Sequence, residues 1–494
     1  MKTYLFYDIE TTGLNRVFDQ VLQFAGIRTG PDLTEIDRYN IRVRLRPDVV
    51  PSPQALLTHR IPFETLLSGQ CEFEATGRIH ALLNTPGTVS LGYNTLGFDD
   101  EFLRFAFYRN LLPPYTHQYA HGCGRLDLLP MTVIFWLYHR DVLDWPEVQG
   151  VASLKLENLN ASNRLTEGKS HDALADVEAC LSLARRFRRA GKIWDYLCGC
   201  FDKDTDRQRM NDLPVVIEGP TGPHRLGIMV DSQFGSERNY QAPVLGLGDS
   251  IPYANQSLWL RLDREELRTT DRESIDDTTW VIRKKAGEPP IVLPPRKRFW
   301  ERLSPEIVTL ARENKQWLEG EPDLLGRIVS HHRRFRYPDI PDVDPDGALY
   351  ENGFPSPGDR RLCRQFQSAA FEQRLEIARR FSDPCLGTLA RRILFRNYPD
   401  RLDAELRREF EDYMRRINPD RVDSAPVDYR GRRRRTPVET LAEIRRLAGE
   451  RQDAEALGLL RELEAYIMDV FGRQGRVERV GGEGVPPVGS RREA

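Results

Sequence analysis

The amino-acid sequence predicts an α/β fold at its N-terminal end, a mixed sheet with flanking helices, followed by a β-rich region and then a helical one. Three observations carry this. Residues 1–192 alternate strand-like and helix-like segments. Between about 200 and 346, short β-forming runs recur between Gly, Pro, Asn and Asp. From about 347, the apolar residues fall at helical spacing. A chain of 494 residues is too long for one core, so two to four domains are expected. The boundaries read as 1–192, 193–346 and 347–474, with 475–494 as a tail too poor in apolar residues to pack.

In chain order, "TYLFYDIE", "LQFAGIRT" and "NIRVRLRP" read as three strands separated by turn residues. "DDEFLRFAFYRNLL" and "HDALADVEACLSLARRFRRAG" carry helical spacing, the second ending at a Gly stop. In the middle region the β-like runs are "LPVVIEG", "RLGIMV", "APVLGLG", "SLWLRLD", "TTWVIRKK" and "PPIVLPP". Near the end Leu460, Leu463, Ile467 and Val470 mark one face of an amphipathic helix.

The net charge of −2 and the pI of 6.6 give no global sign of a nucleic-acid partner, although a basic groove can coexist with an acidic exterior. Seven cysteines are too few and too scattered for a disulfide framework. Cys198 and Cys200 form a CxC with no second pair at zinc-like spacing, so free thiols are expected. The N-terminus lacks a signal-peptide layout, and the longest apolar stretch, near "MTVIFWLY", falls far short of a membrane span. A cytoplasmic protein with no membrane partner is expected.

Asp8 and Glu10 end an apolar strand, two residues apart and therefore on the same side of it. Side by side they repel, unless a cation sits between them. Carboxylate oxygens are preferred ligands of Mg²⁺ and Mn²⁺, and further acids are on offer. "NTLGFDDE" places Asp99 and Asp100 at the start of a helix, and "HDALAD" offers His171 and Asp176. Taken singly, these have ordinary readings. A strand-end pair is commonly a surface feature, Asp100 and Glu101 can favour a helix dipole, and Asp172 can cap the next helix. Their ordered combination is what stands out.

That combination resembles the DEDDh branch of 3′→5′ exonucleases: "DIETTG" matches its first motif, "NTLGFD" its second and "HDALAD" its third. The resemblance implies Asp8, Glu10, Asp99 and Asp176 as ligands of two Mg²⁺ ions, with Mn²⁺ able to substitute, and His171 as general base. Two-metal phosphodiester hydrolysis agrees with this set, since four carboxylates offset the charge of the metal pair and a histidine titrating near neutrality can accept a proton.

Length and further text narrow the branch. "RIHALL", "GYNTLGFDDEFLRFAFYRNLLPPY", "DLLP", "LENL" and "LYENGF" resemble the exodeoxyribonuclease I family. Membership implies a ribonuclease H-like exonuclease domain, an SH3-like β-domain and a helical domain that together clamp single-stranded DNA. The implied activity is processive release of 5′-mononucleotides from its 3′ end, in DNA repair. Glu10, Arg104, Tyr115, Tyr119 and Lys155 align with substrate contacts, where stacking rings and phosphate-neutralising arginines suit a single strand. Two positions depart: Lys155 replaces an arginine, losing its fork, and Thr132 stands where a basic contact is expected. The basic runs "SHHRRFRYP" (330–338) and "YRGRRRR" (429–435) read as solvated loops or as a patch for the acidic tail of the single-stranded DNA-binding protein, a partner the resemblance implies along with a monomeric state. Alternatives are an exoribonuclease of the same branch and a non-catalytic single-strand-binding adaptor.

Overall fold

The structure, a computed structural model, describes residues 2–167 and 173–472. Strands β1 (Thr3–Thr11), β2 (Val21–Thr29), β3 (Glu35–Arg42), β4 (Thr88–Gly92) and β5 (Gly124–Asp127) form one sheet in the order β3-β2-β1-β4-β5. β2 runs antiparallel to β1 and β3, whereas β1, β4 and β5 are parallel. This is the expected mixed sheet. Its two faces divide the side chains of β1. Tyr4 and Phe6 enter a core with the helices Leu128–Tyr138 and Ala173–Arg188. Leu5, Tyr7 and Ile9 enter another with Glu72–Leu83 and Asp99–Arg109.

The third strand lies earlier than the expected 40–47. β3 is a largely exposed edge strand, so its residues have no buried face to pattern and its register comes from β2. Beyond it, Arg46 turns inward and is nearly fully buried.

After a small hairpin of β6 (Glu147–Val148) and β7 (Val151–Ala152) come β8 (Val215–Gly219), β9 (Gly222–Val230), β10 (Gln241–Asp249), β11 (Gln256–Arg261), β12 (Val281–Lys285) and β13 (Ile291–Leu293). Each coincides with one of the six β-like runs. They pair antiparallel in the order β12-β11-β10-β9-β13, with β8 on β9. Two helices, Pro305–Gly320 and Pro322–Arg334, also belong to this β-rich part of the chain, and the sequence reading did not place them. Their Leu318, Leu325 and Ile328 cover Leu245, Leu258 and Leu260 of the sheet. The start signal was there to be read, since Ser304 caps the first helix through the Ile307 N–H and Pro305 follows it.

The C-terminal part contains the helices Pro357–Ser368, Phe371–Ala378, Pro384–Asn397, Ala404–Ile417, Pro437–Gly449 and Ala454–Val470. In the last, Leu460, Leu463 and Ile467 are buried and Val470 partly so. These helices do not close a core of their own. Phe366, Leu389, Ile393, Leu463 and Phe471 share one apolar cluster with Val17, Phe18, Leu56, Phe63, Phe73 and Phe105. A buried ionic seam runs beside it. Glu72 pairs with Arg46 and Arg109, Asp48 with Arg46 and Arg396, and Asp346 with Arg392 and Arg396. Removing one partner of such a pair strands a buried charge, so the seam welds the two ends of the chain together.

The seven cysteines are free thiols, as expected. Among the described residues no helix is long and apolar enough to cross a membrane.

Candidate active site

The end of β1 carries the chemistry. Ile9 is buried, while Asp8 and Glu10 point to the opposite face, that of the helix Ala173–Arg188. Asp176, in the first turn of that helix, joins them. Carboxylate oxygens of Asp8, Glu10 and Asp176 all lie within 4.8 Å of one another. Burial, and then the charges of Asp99, Glu10 and Asp176, hold the Asp8 carboxyl well above its ordinary range. The cluster is thus built against its own electrostatics. A hard donor set of converging carboxylate oxygens that repel one another fits a small divalent cation.

The residues after Glu10 hold its strand end in place. Thr11 Oγ1 donates to the Gly13 carbonyl at 2.8 Å, and the Thr12 hydroxyl donates to Asp19 at 2.9 Å. Asp19 also accepts the Asn15 N–H at 2.8 Å. A Cβ at Gly13 would stand 2.5 Å from that anchored carboxylate, so "TTG" is a packing requirement.

Asp99 reaches the site from the other face of the sheet. It opens the helix Asp99–Arg109, is buried, and accepts the Ile9 N–H at 3.2 Å. Burial chiefly raises its carboxyl well above the usual range, with Asp127 and Glu10 adding to the effect. Its carboxylate is not part of the three-residue cluster, although its charge is felt there. The loop before it hangs on Asp127, whose carboxylate accepts the N–H groups of Asn94, Leu96 and Leu129 at 2.9, 3.0 and 2.9 Å. Burial lifts Asp127 to about 6 despite these bonds. Asp127 was missed by sequence reading, and its helix-capping position before "LLPM" was the available signal.

Asp100 lies in the first turn of its helix, as its ordinary reading has it, but it does more than favour the dipole. Its carboxylate is 0 % exposed and takes Arg104 and Arg125 at 2.7 Å each and His117 Nε2 at 2.8 Å. Burial opposes its charge, but Arg125, Arg104 and His117 outweigh it and hold the carboxyl well below the carboxylate range. Glu101 is likewise occupied, pairing with Arg16 at 2.8 Å and accepting from the Tyr429 hydroxyl at 2.7 Å. It ties the loop after β1 to the C-terminal part. Asp172, the third acid given an ordinary reading, lies outside the described residues, as does His171.

Of the aligned substrate contacts, Arg104 is buried. Beyond Asp100 it donates to the Tyr350 hydroxyl at 2.9 Å and lies 5.4 Å from the Tyr115 ring centroid. Tyr115 is half-buried, with its ring 6.4 Å from that of Phe354. Tyr119 is 70 % exposed and Phe354 85 %. Phe354 is a second residue that sequence reading passed over, although it lies in the quoted "LYENGF". An aromatic left bare beside another ring was the signal, and it is visible only in three dimensions. Lys155 is exposed, 3.8 Å from Glu157. Thr132 is fully buried and its hydroxyl donates to the Leu128 carbonyl, so no side chain there reaches a strand outside.

The two basic runs are solvated loops only in part: residues 336–338 and 430–433 are exposed and irregular, while the other residues are anchored in the fold. Residues 330–334 end the helix Pro322–Arg334, where buried His332 bonds Thr279 Oγ1 at 2.6 Å and is lowered by burial to about 4. His331 pairs with Asp276 and Arg333 donates to the Asp249 carbonyl. In the run 429–435, Arg433 donates to the Ala425 carbonyl, buried Arg434 to the Asp48 carbonyl, and Arg435 pairs with Glu443. Much of that positive charge is spent on holding the fold.

Two family profiles match the chain: Exonuclease over residues 5–184 and Exonuclease I C-terminal domain over residues 343–470. Among curated relatives, exodeoxyribonuclease I of Escherichia coli (strain K12) is 28% identical over 436 residues, 84% of this chain and 90% of that protein. Among solved structures, a moderately thermophilic exonuclease I from Methylocaldum szegediense superposes with a TM-score of 0.80 at 26% identity, covering 95% of this chain and 100% of that one. E. coli exonuclease I in complex with a dA16 oligonucleotide gives a TM-score of 0.80 at 24% identity over the same shares.

Proposed function

The chain belongs to the exodeoxyribonuclease I family, and on that premise we propose that it removes 5′-mononucleotides, processively and in DNA repair, from the 3′ end of single-stranded DNA. The observation that carries this reading is the Asp8–Glu10–Asp176 cluster, three converging carboxylates at the end of an otherwise apolar strand.

Asp8, Glu10, Asp99 and Asp176 would hold the divalent cations, two Mg²⁺ with Mn²⁺ as a substitute, and the chemistry these would supply is acidification of the attacking water and neutralisation of charge on the scissile phosphate. His171 takes the water's proton, a role that rests on its motif. Asp127 positions Asp99 by fixing the loop Asn94–Leu96. Glu10 and Lys155 contact the substrate strand. Tyr115, Tyr119 and Phe354 offer ring faces on which bases stack whatever their sequence. Arg104 contributes by holding Tyr115, through its ring face, and Tyr350, through its hydroxyl.

In this reading residues 1–192 form the exonuclease domain, 193–346 an SH3-like domain and 347–474 an all-helical domain, and the three close around the strand. The antiparallel sheet β8–β13 and the six C-terminal helices support that division. The enzyme works as a cytoplasmic monomer, and its protein partner is the single-stranded DNA-binding protein, through that protein's acidic tail.

Digestion of 3′- and 5′-labelled single strands with and without Mg²⁺, beside RNA of matched sequence, tests the proposal. Mononucleotides released from the 3′ end of DNA, only when the divalent ion is present, are expected. Internal cuts, or cleavage that persists in a chelator, would refute it.

A further inference from the structure

Asp99 owes its place to three supports, two of which come from strands of the first sheet. One is the Ile9 N–H and another is Asp127. The third is its neighbour Asp100, which locks the first turn of the helix. The Asp100 N–H donates to the Thr95 carbonyl at 2.8 Å, and its side chain is gripped from several directions.

One of those grips leads out of the first sheet. Arg125, on β5, divides its guanidinium between two acids. Nη1 meets Asp100 Oδ2 at 2.7 Å and Nη2 meets Glu288 Oε1 at 2.8 Å. Glu288 sits in the turn between β12 and β13 of the second sheet. That turn is itself firmly built. The Glu288 carbonyl accepts from Lys284 Nζ at 2.7 Å, Lys284 pairs with Asp206 at 2.7 Å, and Asp206 accepts the Gly287 N–H at 2.8 Å. A planar fork shared by two carboxylates has its orientation set by both.

We propose that Glu288 is a positioning residue for Asp99, acting through Arg125 and Asp100 across the junction of the two sheets. Catalytic geometry then depends on how the second sheet is seated, not only on the five motif residues. Without Glu288, the Arg125 fork keeps one anchor and swings, and the first turn carrying Asp99 loosens. The inference rests on Asp99 being a cation ligand, as proposed above.

The test uses the full-length wild type, Glu288→Gln, Arg125→Lys and the double variant. For each, kcat, KM for a short oligonucleotide, the Mg²⁺ concentration at half-maximal rate and the metal-free melting temperature are measured. Loss of an outer support typically costs about 10–100-fold in activity or metal affinity. Glu288→Gln should therefore lower kcat or raise the Mg²⁺ half-saturation by that factor while leaving KM within about twofold. Because both residues act along one path, the double variant should be little worse than either single one. A purely structural role would lower the melting temperature and leave the Mg²⁺ half-saturation where it was. Wild-type kcat and half-saturation in Glu288→Gln, or additive effects in the double variant, would overturn the inference. Should Glu288→Gln fail to fold, folded Arg125→Lys with wild-type values overturns it equally. A wild type that cleaves without any divalent ion would instead sink the reading of the site itself.

Discussion

Glu72→Gln tests the ionic seam that joins the two ends of the chain. Glu72 is 2 % exposed. Arg46 Nη1 meets its two oxygens at 3.0 and 2.8 Å, Arg109 Nη2 meets it at 2.8 Å and Asn110 Nδ2 at 3.3 Å. Burial alone would raise its carboxyl, but the two arginines outweigh burial and lower it from 4.5 to about 2. That depression favours the ionised, folded form by about 3 kcal/mol, part of which the buried guanidinium of Arg109 returns. A carboxylate lowered in the folded state stabilises fully above its unfolded value and loses that contribution as pH falls through its folded one. The variant should therefore be less stable than wild type by about 3 kcal/mol at pH 7 and by only about 1 kcal/mol at pH 3. Urea unfolding of both proteins across this range provides the comparison, since acids outside the seam titrate alike in each and cancel in the difference. A penalty below about 1 kcal/mol at pH 7, or one of equal size at both pH values, would refute the reasoning.

Asp8→Asn and Asp176→Asn should each abolish cleavage while leaving the fold intact. Because the raised Asp8 carboxyl penalises folding above its unfolded pKa, Asp8→Asn should also raise the metal-free melting temperature, and a fall would contradict the cluster's repulsion. His171→Ala should lose ~10²–10⁴-fold in kcat and recover part of it as pH rises; wild-type rates at neutral pH would remove the histidine from the mechanism. Phe354→Ala should weaken single-strand binding by ~1–3 kcal/mol with little effect on the melting temperature, as read by fluorescence anisotropy and thermal unfolding. A fragment of residues 1–192 should aggregate, since Phe18, Phe63, Phe73 and Phe105 lose the helices that cover them. A monodisperse fragment with a cooperative melt would show that the shared core is dispensable.

Much of the site was legible because it depends on local geometry. Two carboxylates two residues apart on a strand must share a face, so Asp8 and Glu10 were readable as a pair before any fold was known. The six β-runs of the middle region were readable from local composition, as short β-forming stretches between Gly, Pro, Asn and Asp. Where a strand carries few apolar residues, the reading slipped, as with the edge strand Glu35–Arg42, whose exposed residues answer only to β2.

Charge was another matter. Asp99 and Asp100 are neighbours in one motif and look alike in sequence. Yet Asp99 meets the Ile9 N–H near the carboxylate cluster, while Asp100 gathers Arg104, Arg125 and His117. Nothing in the sequence singles out Arg46 or Glu72, yet they are buried partners. Arg434, part of an apparent basic patch, donates to the Asp48 carbonyl 386 residues away. What the sequence by itself determined is therefore the periodic framework and the paired acids at the end of β1. Which charges are buried, which arginines are consumed and which ring stays bare were decided only by the tertiary structure. A backbone period is written within a few consecutive residues, whereas the partner of a buried charge is supplied by segments that only the folded chain brings within reach.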